Sequence, residues 1–346
     1  MMKSLTCSAG EWKMNPFFIA FVSVMLILIT LSNLPDSINA EETEPVLNFY
    51  IERELLGHSD DVTALAWSAN GQSMASGSLD NTTRIWSTGT WTSVKTLHHS
   101  APVSGISWSQ TTLKMAISHE NGTIGIYNSI SWALQETLSE HFENVRGLSW
   151  SPDGTMLSSG DSSGSIKIWD ATTWNSIQTL DLQSGVMDLK WSNNQDKLAA
   201  CSDNGTISIW ETATWTSIES FDSTSGEQSA ESIFWSPDDT KLASSSGEMK
   251  VMVWDTDSWD ALQTLDTDSI PKEVGWSSDD SYLAVSVMGG IKIWNTTLWN
   301  LIKTTELDEN SQVAALAISH DGDRIATGAP QKTSNTVMIW GKNFSP

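Results

Sequence analysis

Cysteine is nearly absent: the 346 residues contain only Cys7 and Cys201. That excludes a disulfide scaffold and a cysteine zinc site. Bases are scarce as well, with 18 Lys and Arg against 42 Asp and Glu, a net charge of −24. A body this acidic repels phosphate, so nucleic acid is not an expected partner. No His-Glu-x-x-His, Cys-x-x-Cys or phosphate-cradling Gly-x-x-x-x-Gly-Lys motif occurs, and no calcium-loop spacing appears. No cofactor or metal site is therefore expected. Beyond residue 41 no long segment of period 3.6 occurs, which argues against helical architecture. The apolar fraction of 39% is nevertheless enough to build a core.

One apolar run stands apart from the rest. Residues 16–31 carry no charge, with Lys3 and Lys13 before them and Asp36, Glu41, Glu42 and Glu44 after. The run is short for a membrane span and suits the apolar region of a signal peptide, with Ser-Ile-Asn-Ala at 37–40 offering cleavage after Ala40. The expectation is an exported chain, with residues 1–40 cleaved or kept as a single membrane anchor. The charge bias places the bulk of the chain outside.

Tryptophan is the abundant aromatic, at 19 residues against 8 Phe and 3 Tyr, and it is periodic. One series runs Trp67, Trp108, Trp150, Trp191, Trp235, Trp276, with Ile318 next. A second runs Trp86, Tyr127, Trp169, Trp210, Trp254, Trp294, Trp340. A third runs Trp91, Trp132, Trp174, Trp215, Trp259, Trp299. The steps of the first series are 41 to 44 residues, which marks a repeat array. Each unit reads as four short strands. An alternating strand ends at the first tryptophan, and a turn such as Ser151-Pro-Asp-Gly154 follows. Next come a small-residue strand such as Leu157-Ser-Ser-Gly160, a strand such as Ile166-Lys-Ile-Trp169, and a last strand from the third-series tryptophan.

This pattern resembles the WD-repeat family of β-propellers, in which each repeat forms one four-stranded blade. Trp169-Asp170, Trp254-Asp255, Gly57-His58 and the Ser-Pro-Asp-Gly turn carry the resemblance, over residues 46–341. The expected fold is an all-β, seven-bladed propeller with units at about 57–97, 98–138, 139–180, 181–221, 222–265, 266–305 and 306–341. No fourth strand follows Trp340, so Phe49–Leu56 is expected to complete blade seven. In that register Tyr50 takes the Trp91 position and makes an aromatic ring of seven. The ring is read as packing between blades rather than as a stacking surface for sugars or a partner.

The resemblance implies a hydrogen-bonded tetrad of His, Ser or Thr, Asp and Trp. Only the first unit reads as complete, with His58, Ser76 or Ser78, Asp80 and Trp86. His99 and His141 hold the histidine position in the next two units, and Leu182, Gly226, Thr267 and Glu309 hold it later. The aspartate position holds Asn121, Ser163, Asn204, Glu248 and Met288. Asp238-Asp239, Asp279-Asp280 and Asp321-Gly-Asp323 read as solvated turns, and Cys201 as a small core residue. The sequons at Asn81, Asn121, Asn204, Asn295 and Asn343 are glycosylation acceptors if the chain is exported.

The resemblance implies a non-enzymatic, monomeric platform for protein partners. The competing reading is a propeller enzyme or carbohydrate-binding protein with its site at the channel mouth. Two loops exceed the repeat length, Asp222–Ala230 and Ala329–Asn335, and Glu227 and Lys332 are the contacts expected there.

Overall fold

The computed structural model describes residues 46–345, apart from 224–227, 306, 308–310 and 332–333. These residues form seven antiparallel four-stranded sheets, arranged as the blades of a propeller. Blade one consists of Val62–Trp67, Ser73–Ser78, Thr82–Ser87 and Ser93–His98. The same plan recurs six times. In blade seven the strand Val46–His58 pairs with Ser334–Ser345, so the N-terminal segment supplies the missing fourth strand and closes the ring. Closure removes the unpaired edge that blade seven would otherwise expose.

Burial explains the composition of each strand. Second strands are sandwiched between neighbouring blades, and Met74–Ser78 is buried throughout. Fourth strands face solvent, and Ser93–Lys95 is exposed. The sandwiching dictates small residues at one recurring slot. A Cβ on Gly77 would overlap Val103, which opens the next blade. On Gly160 it would lie 2.5 Å from Val186, and on Gly328 2.7 Å from Val62. Cys201 occupies the same slot in blade four, where the residue opening the next blade shrinks to Ala230. The cysteine is thus a volume-matched packing residue, as expected, and burial pushes its thiol well above the usual range.

The core lies between blades rather than within them. One cluster joins Ala116, Ile124 and Ile126 of blade two to Val145, Leu148 and Trp150 of blade three. Another joins Leu55, Ala326, Val337 and Ile339 of blade seven to Val62, Met74 and Trp86 of blade one. Each such side chain contributes about 1.5–3 kcal/mol when fully buried. Every blade is therefore stabilised by both neighbours.

The extra residues between Ile325 and Trp340 do not form a projecting loop. The strands Arg324–Gln331 and Ser334–Ser345 pair as far as Gln331 with Ser334, so the excess lengthens the hairpin.

Candidate functional site: tetrads, tryptophan ladder and channel

His58 accounts for both ends of the first network. Its Nδ1 lies 3.0 Å from Asp80, and its Nε2 lies 2.7 Å from the Ser76 hydroxyl. The Trp86 indole N–H donates to the same hydroxyl at 2.9 Å. Ser76 is therefore the bridging serine, while Ser78 donates to the Asp60 carbonyl. Burial raises the Asp80 carboxyl, but hydrogen bonds from Thr82, Ser59 and His58 outweigh that and hold it at about 2. Burial pushes the His58 imidazole below its ordinary range despite Asp80.

Blade three carries a second complete network, which corrects the expectation that only the first unit has one. His141 lies 2.7 Å from Asp161 and 2.7 Å from Ser159, and Trp169 donates to Ser159 at 2.8 Å. The aspartate comes from the end of the second strand rather than from Ser163 in the turn. A side chain at that strand end reaches the same histidine, a route that spacing from the tryptophan does not reveal. In blade two, His99 links two blades, meeting Thr83 of the preceding blade at 2.9 Å and the hydroxyl of Tyr127 of its own blade at 3.3 Å. Among the described residues, blades five and seven show the last link alone, Trp254 to Ser244 at 2.9 Å and Trp340 to Thr327 at 3.0 Å.

The first-series tryptophans staple adjacent blades. The indoles of Trp67, Trp108, Trp150, Trp191 and Trp235 donate to the carbonyls of Ala317, Ala66, Ser107, Ser149 and Lys190 at 3.0–3.2 Å. Each of the six first-series rings meets the third-series ring of its own unit edge-on, at 5.7–6.2 Å between centroids. All six third-series residues have φ between 54° and 60°, a conformation rare for a bulky side chain. The turn chemistry that precedes them explains this. Asp170 accepts the N–H groups of Thr172 and Thr173, and Trp174 donates back to the Asp170 carbonyl at 2.8 Å. The aspartate of the Trp-Asp dipeptide thus caps the turn that throws the next tryptophan onto its partner. Those hydrogen bonds, from Thr173 first, hold the Asp170 carboxyl below its ordinary range. The outer face of the ladder receives cations from the preceding blade, Lys114 over Trp174 at 4.7 Å and Arg324 over Trp91 at 5.9 Å.

The seventh position departs from the expected ring. Tyr50 is 48% exposed, whereas Phe49 is buried with its ring 5.2 Å from that of Tyr282 in blade six. The closing strand is thus rotated by one residue relative to the tryptophan register. Side chains alternate across a strand, so one position exchanges the buried and exposed faces.

The aspartate pairs serve their own turns. Ser236 donates to Asp238 at 2.7 Å, and Thr240 donates to the same carboxylate through its N–H and hydroxyl. Asp239 accepts the Asn193 and Asn194 N–H groups of blade four, each at 2.7 Å, and so ties two turns together.

The central channel holds a cavity of about 480 Å³ and is chemically lopsided. Ala64, Ala66, Gly105, Ser107, Ser149 and Ala317 line one side, with Arg146 of blade three the charged residue among them. Blades four to six place Asp188, Lys190, Ser232, Phe234 and Glu273 on the other. Lys190 contacts Asp188 at 2.5 Å, Ser232 donates to Asp188 at 3.1 Å, and Glu273 accepts the Leu316 N–H from blade seven. Lys272 and Glu231 pair at 2.9 Å. Burial inside the ring, reinforced by the Asp188 charge, raises the Glu273 carboxyl to about 8. Charged groups of three blades thus converge in the channel and engage one another. Among the described residues no group of three or more His, Cys, Asp or Glu could hold a metal ion.

Glu227 and Lys332 lie outside the described residues, as do residues 1–40.

Seven four-stranded blades, closed by a strand from the other end of the chain, define a β-propeller built on a tryptophan-marked repeat. The chain belongs to the WD-repeat family. The family described as "WD domain, G-beta repeat" matches residues 50–87, 132–170, 174–211, 217–255 and 299–341, more than half of the chain. The unmatched stretches contain Tyr127 in the tryptophan position and the blade-six strand Val274–Trp276, cut to 3 residues. The structure places complete blades at both. No curated protein matches the chain in sequence.

Proposed function

We propose that this propeller is a non-enzymatic scaffold for protein partners, working outside the cytoplasmic membrane. The observation that carries the reading is a rigid closed ring whose polar clusters are spent on its own structure. His58, His141, Asp238 and Asp239 are all engaged within or between blades. What remains for function is the set of loops and turns on the two faces, where binding residues concentrate on a rigid scaffold. The apolar run of residues 16–31 and the flanking charges support export or tethering. Catalysis or carbohydrate binding at the channel mouth is the second reading, and the 480 Å³ cavity favours it. The mutual pairing of Asp188, Lys190 and Ser232 in that cavity favours the scaffold instead.

Affinity capture on residues 41–346 from an envelope fraction of the native host tests the scaffold, with mass spectrometry of the captured proteins. A reproducible partner that re-forms a complex from purified components supports it. Recovery of a processed glycan or small metabolite, without protein, overturns it in favour of the channel reading. Mass spectrometry of the native N-terminus tests export separately. Glu41 or a membrane-retained leader supports it, and an intact chain in the cytosol overturns it.

A further inference from the structure

The turns between second and third strands obey a rule in blades one to four and in blade six, and break it in blade five. The rule concerns one left-handed position. Asn81, Gly122, Gly164 and Gly205 fill it, with φ of 61°, 83°, 97° and 89°. These are the residues that adopt such a conformation at least cost. Blade five places Met249 there at φ 60°, and the side chain is 49% exposed. Met249 therefore bears backbone strain without the burial that would offset it. Blade six keeps glycine there, Gly289 at φ 81°, but the residue before it, where blades one to four have Asp80, Asn121, Ser163 and Asn204, is Met288, 52% exposed.

The loop Thr267–Ile270 runs between these two tips and is stitched to both. Thr267 N–H donates to the Met249 carbonyl at 3.0 Å, and Ser269 accepts the Met288 N–H at 3.0 Å. Ile270 on that loop is a third exposed aliphatic, at 39%. Beside them opens a depression of about 510 Å³, lined by Ser269, Val287, Met288, Lys292, Thr305 and Leu307. Asp266 and Asp268 stand exposed at the edge. Of the nearby bases, Lys292 meets Asp268 and Lys272 meets Glu231, while Lys250 stands opposite Asp266 in the strand register.

We propose that Met249, Ile270 and Met288 form a docking surface for a protein segment that inserts a bulky apolar side chain into the adjoining depression, with a lysine or arginine beside it. The inference rests on the scaffold reading and gives it a location and a partner chemistry. Methionine suits the task because its unbranched, polarisable side chain repacks around different apolar anchors. The −24 charge of the chain selects a basic flank and repels an acidic one, and Asp268 already meets one base, Lys292, at this edge. Apolar residues at two neighbouring turn tips, where the other blades use polar residues and glycine, are the local inconsistency that marks a selected surface.

The test selects a random-peptide phage library on the full chain and measures the enriched peptides by fluorescence anisotropy. The comparison protein carries Met249→Gly, Ile270→Ser and Met288→Ser. Met249→Gly restores the residue that the turn favours, so this variant is expected to keep its melting temperature. Enriched peptides should share an apolar anchor next to Lys or Arg and bind the variant roughly tenfold more weakly or worse. Peptides that bind both proteins within about threefold would remove this surface while leaving the scaffold reading intact. Enrichment of no peptide, with binding to phosphatidylcholine vesicles instead, would overturn the protein-segment proposal in favour of a lipid surface.

Discussion

Replacing Glu273 with glutamine should stabilise the propeller, and the gain should grow with pH. The carboxyl sits inside the ring, where burial and Asp188 raise it from 4.5 to about 8, with the Leu316 N–H and Lys190 opposing. For a raised carboxyl, the stability contribution is full below the unfolded value and disappears as pH rises through the folded one. At pH 7 the unfolded chain has ionised this group and the folded protein has not. The displacement from 4.5 corresponds to about 3 kcal/mol, at 1.36 kcal/mol per unit, and to about 5 kcal/mol above pH 8. Glutamine keeps a carbonyl oxygen to accept the Leu316 N–H and has no charge to bury. The variant should match the parent near pH 4.5 and exceed it by up to about 3 kcal/mol at pH 7, or about 5 °C in melting temperature at this chain size. Urea unfolding of both proteins from pH 5 to pH 9 reads the difference directly. Parallel curves, with no widening of the gap as pH rises, would refute the argument that Glu273 is held protonated.

His141→Leu imitates the Leu182 of blade four but strands Asp161. It should cost about 2–3 kcal/mol by urea unfolding, and adding Asp161→Ala should recover part of the loss. His99 carries the opposite pH dependence to Glu273. Burial and the neighbouring His119 and His98 depress it to about 4, so its contribution is present above pH 6.5 and lost as pH falls through 4. His99→Gln should flatten the decline in unfolding free energy between those limits, by up to about 3 kcal/mol. Deleting residues 46–56 should leave the outer edge of the strand Ser334–Ser345 unpaired and cause aggregation or a large drop in melting temperature. An unchanged melting temperature would contradict closure by that strand.

Repetition made most of the fold legible. Seven copies of one landmark fix blade number, strand order and the need for a closing strand, because each copy reports the same packing slot. Repetition also hid what differs between copies. Spacing from Trp169 points to Ser163 for the tetrad acid, whereas the strand-end Asp161 reaches His141 outside that register. Phe49 and Tyr50 are adjacent aromatics in a strand with no repeat of its own turn, so spacing had no power to choose the buried one. The channel charges stand in plain sight: Asp188, Lys190 and Glu273 occupy inner positions where the other units have Ala, Gly or Ser, apart from Phe234. Departure from the repeat, rather than agreement with it, was the signal for that cluster. The long segment before Trp340 misled for a different reason. A length excess does not distinguish a loop from a longer hairpin, and pairing to Gln331 and Ser334 settles it as the latter.

The means of joining blades changes around the ring. Indole staples cross five consecutive junctions, from blade seven into one through blade four into five. Next in order, Trp276 donates to Asp280 of its own turn at 2.5 Å, and after it Ile318 has no indole to donate. The first strands there are also the shortest, 3 residues at Val274–Trp276 and 4 at Ala315–Ile318. Polar bridges take over between blades six and seven. Tyr282 donates its hydroxyl to the Gly322 carbonyl at 2.9 Å, Ser278 donates to the His320 carbonyl at 2.9 Å, and Lys342 meets Asp279 at 3.1 Å. The Glu273 carboxyl bonded to Leu316 N–H belongs to the same set. The Tyr282 and Glu273 bridges are buried, but those of Ser278 and Lys342 are exposed and exchange readily with water. Local opening should therefore be least costly where blades five, six and seven meet. Met249, Ile270 and Met288 lie on this side of the ring. A surface that must adapt to a partner thus sits on the sector least constrained by the tryptophan ladder, while the tetrads of blades one and three hold the opposite side in a single arrangement.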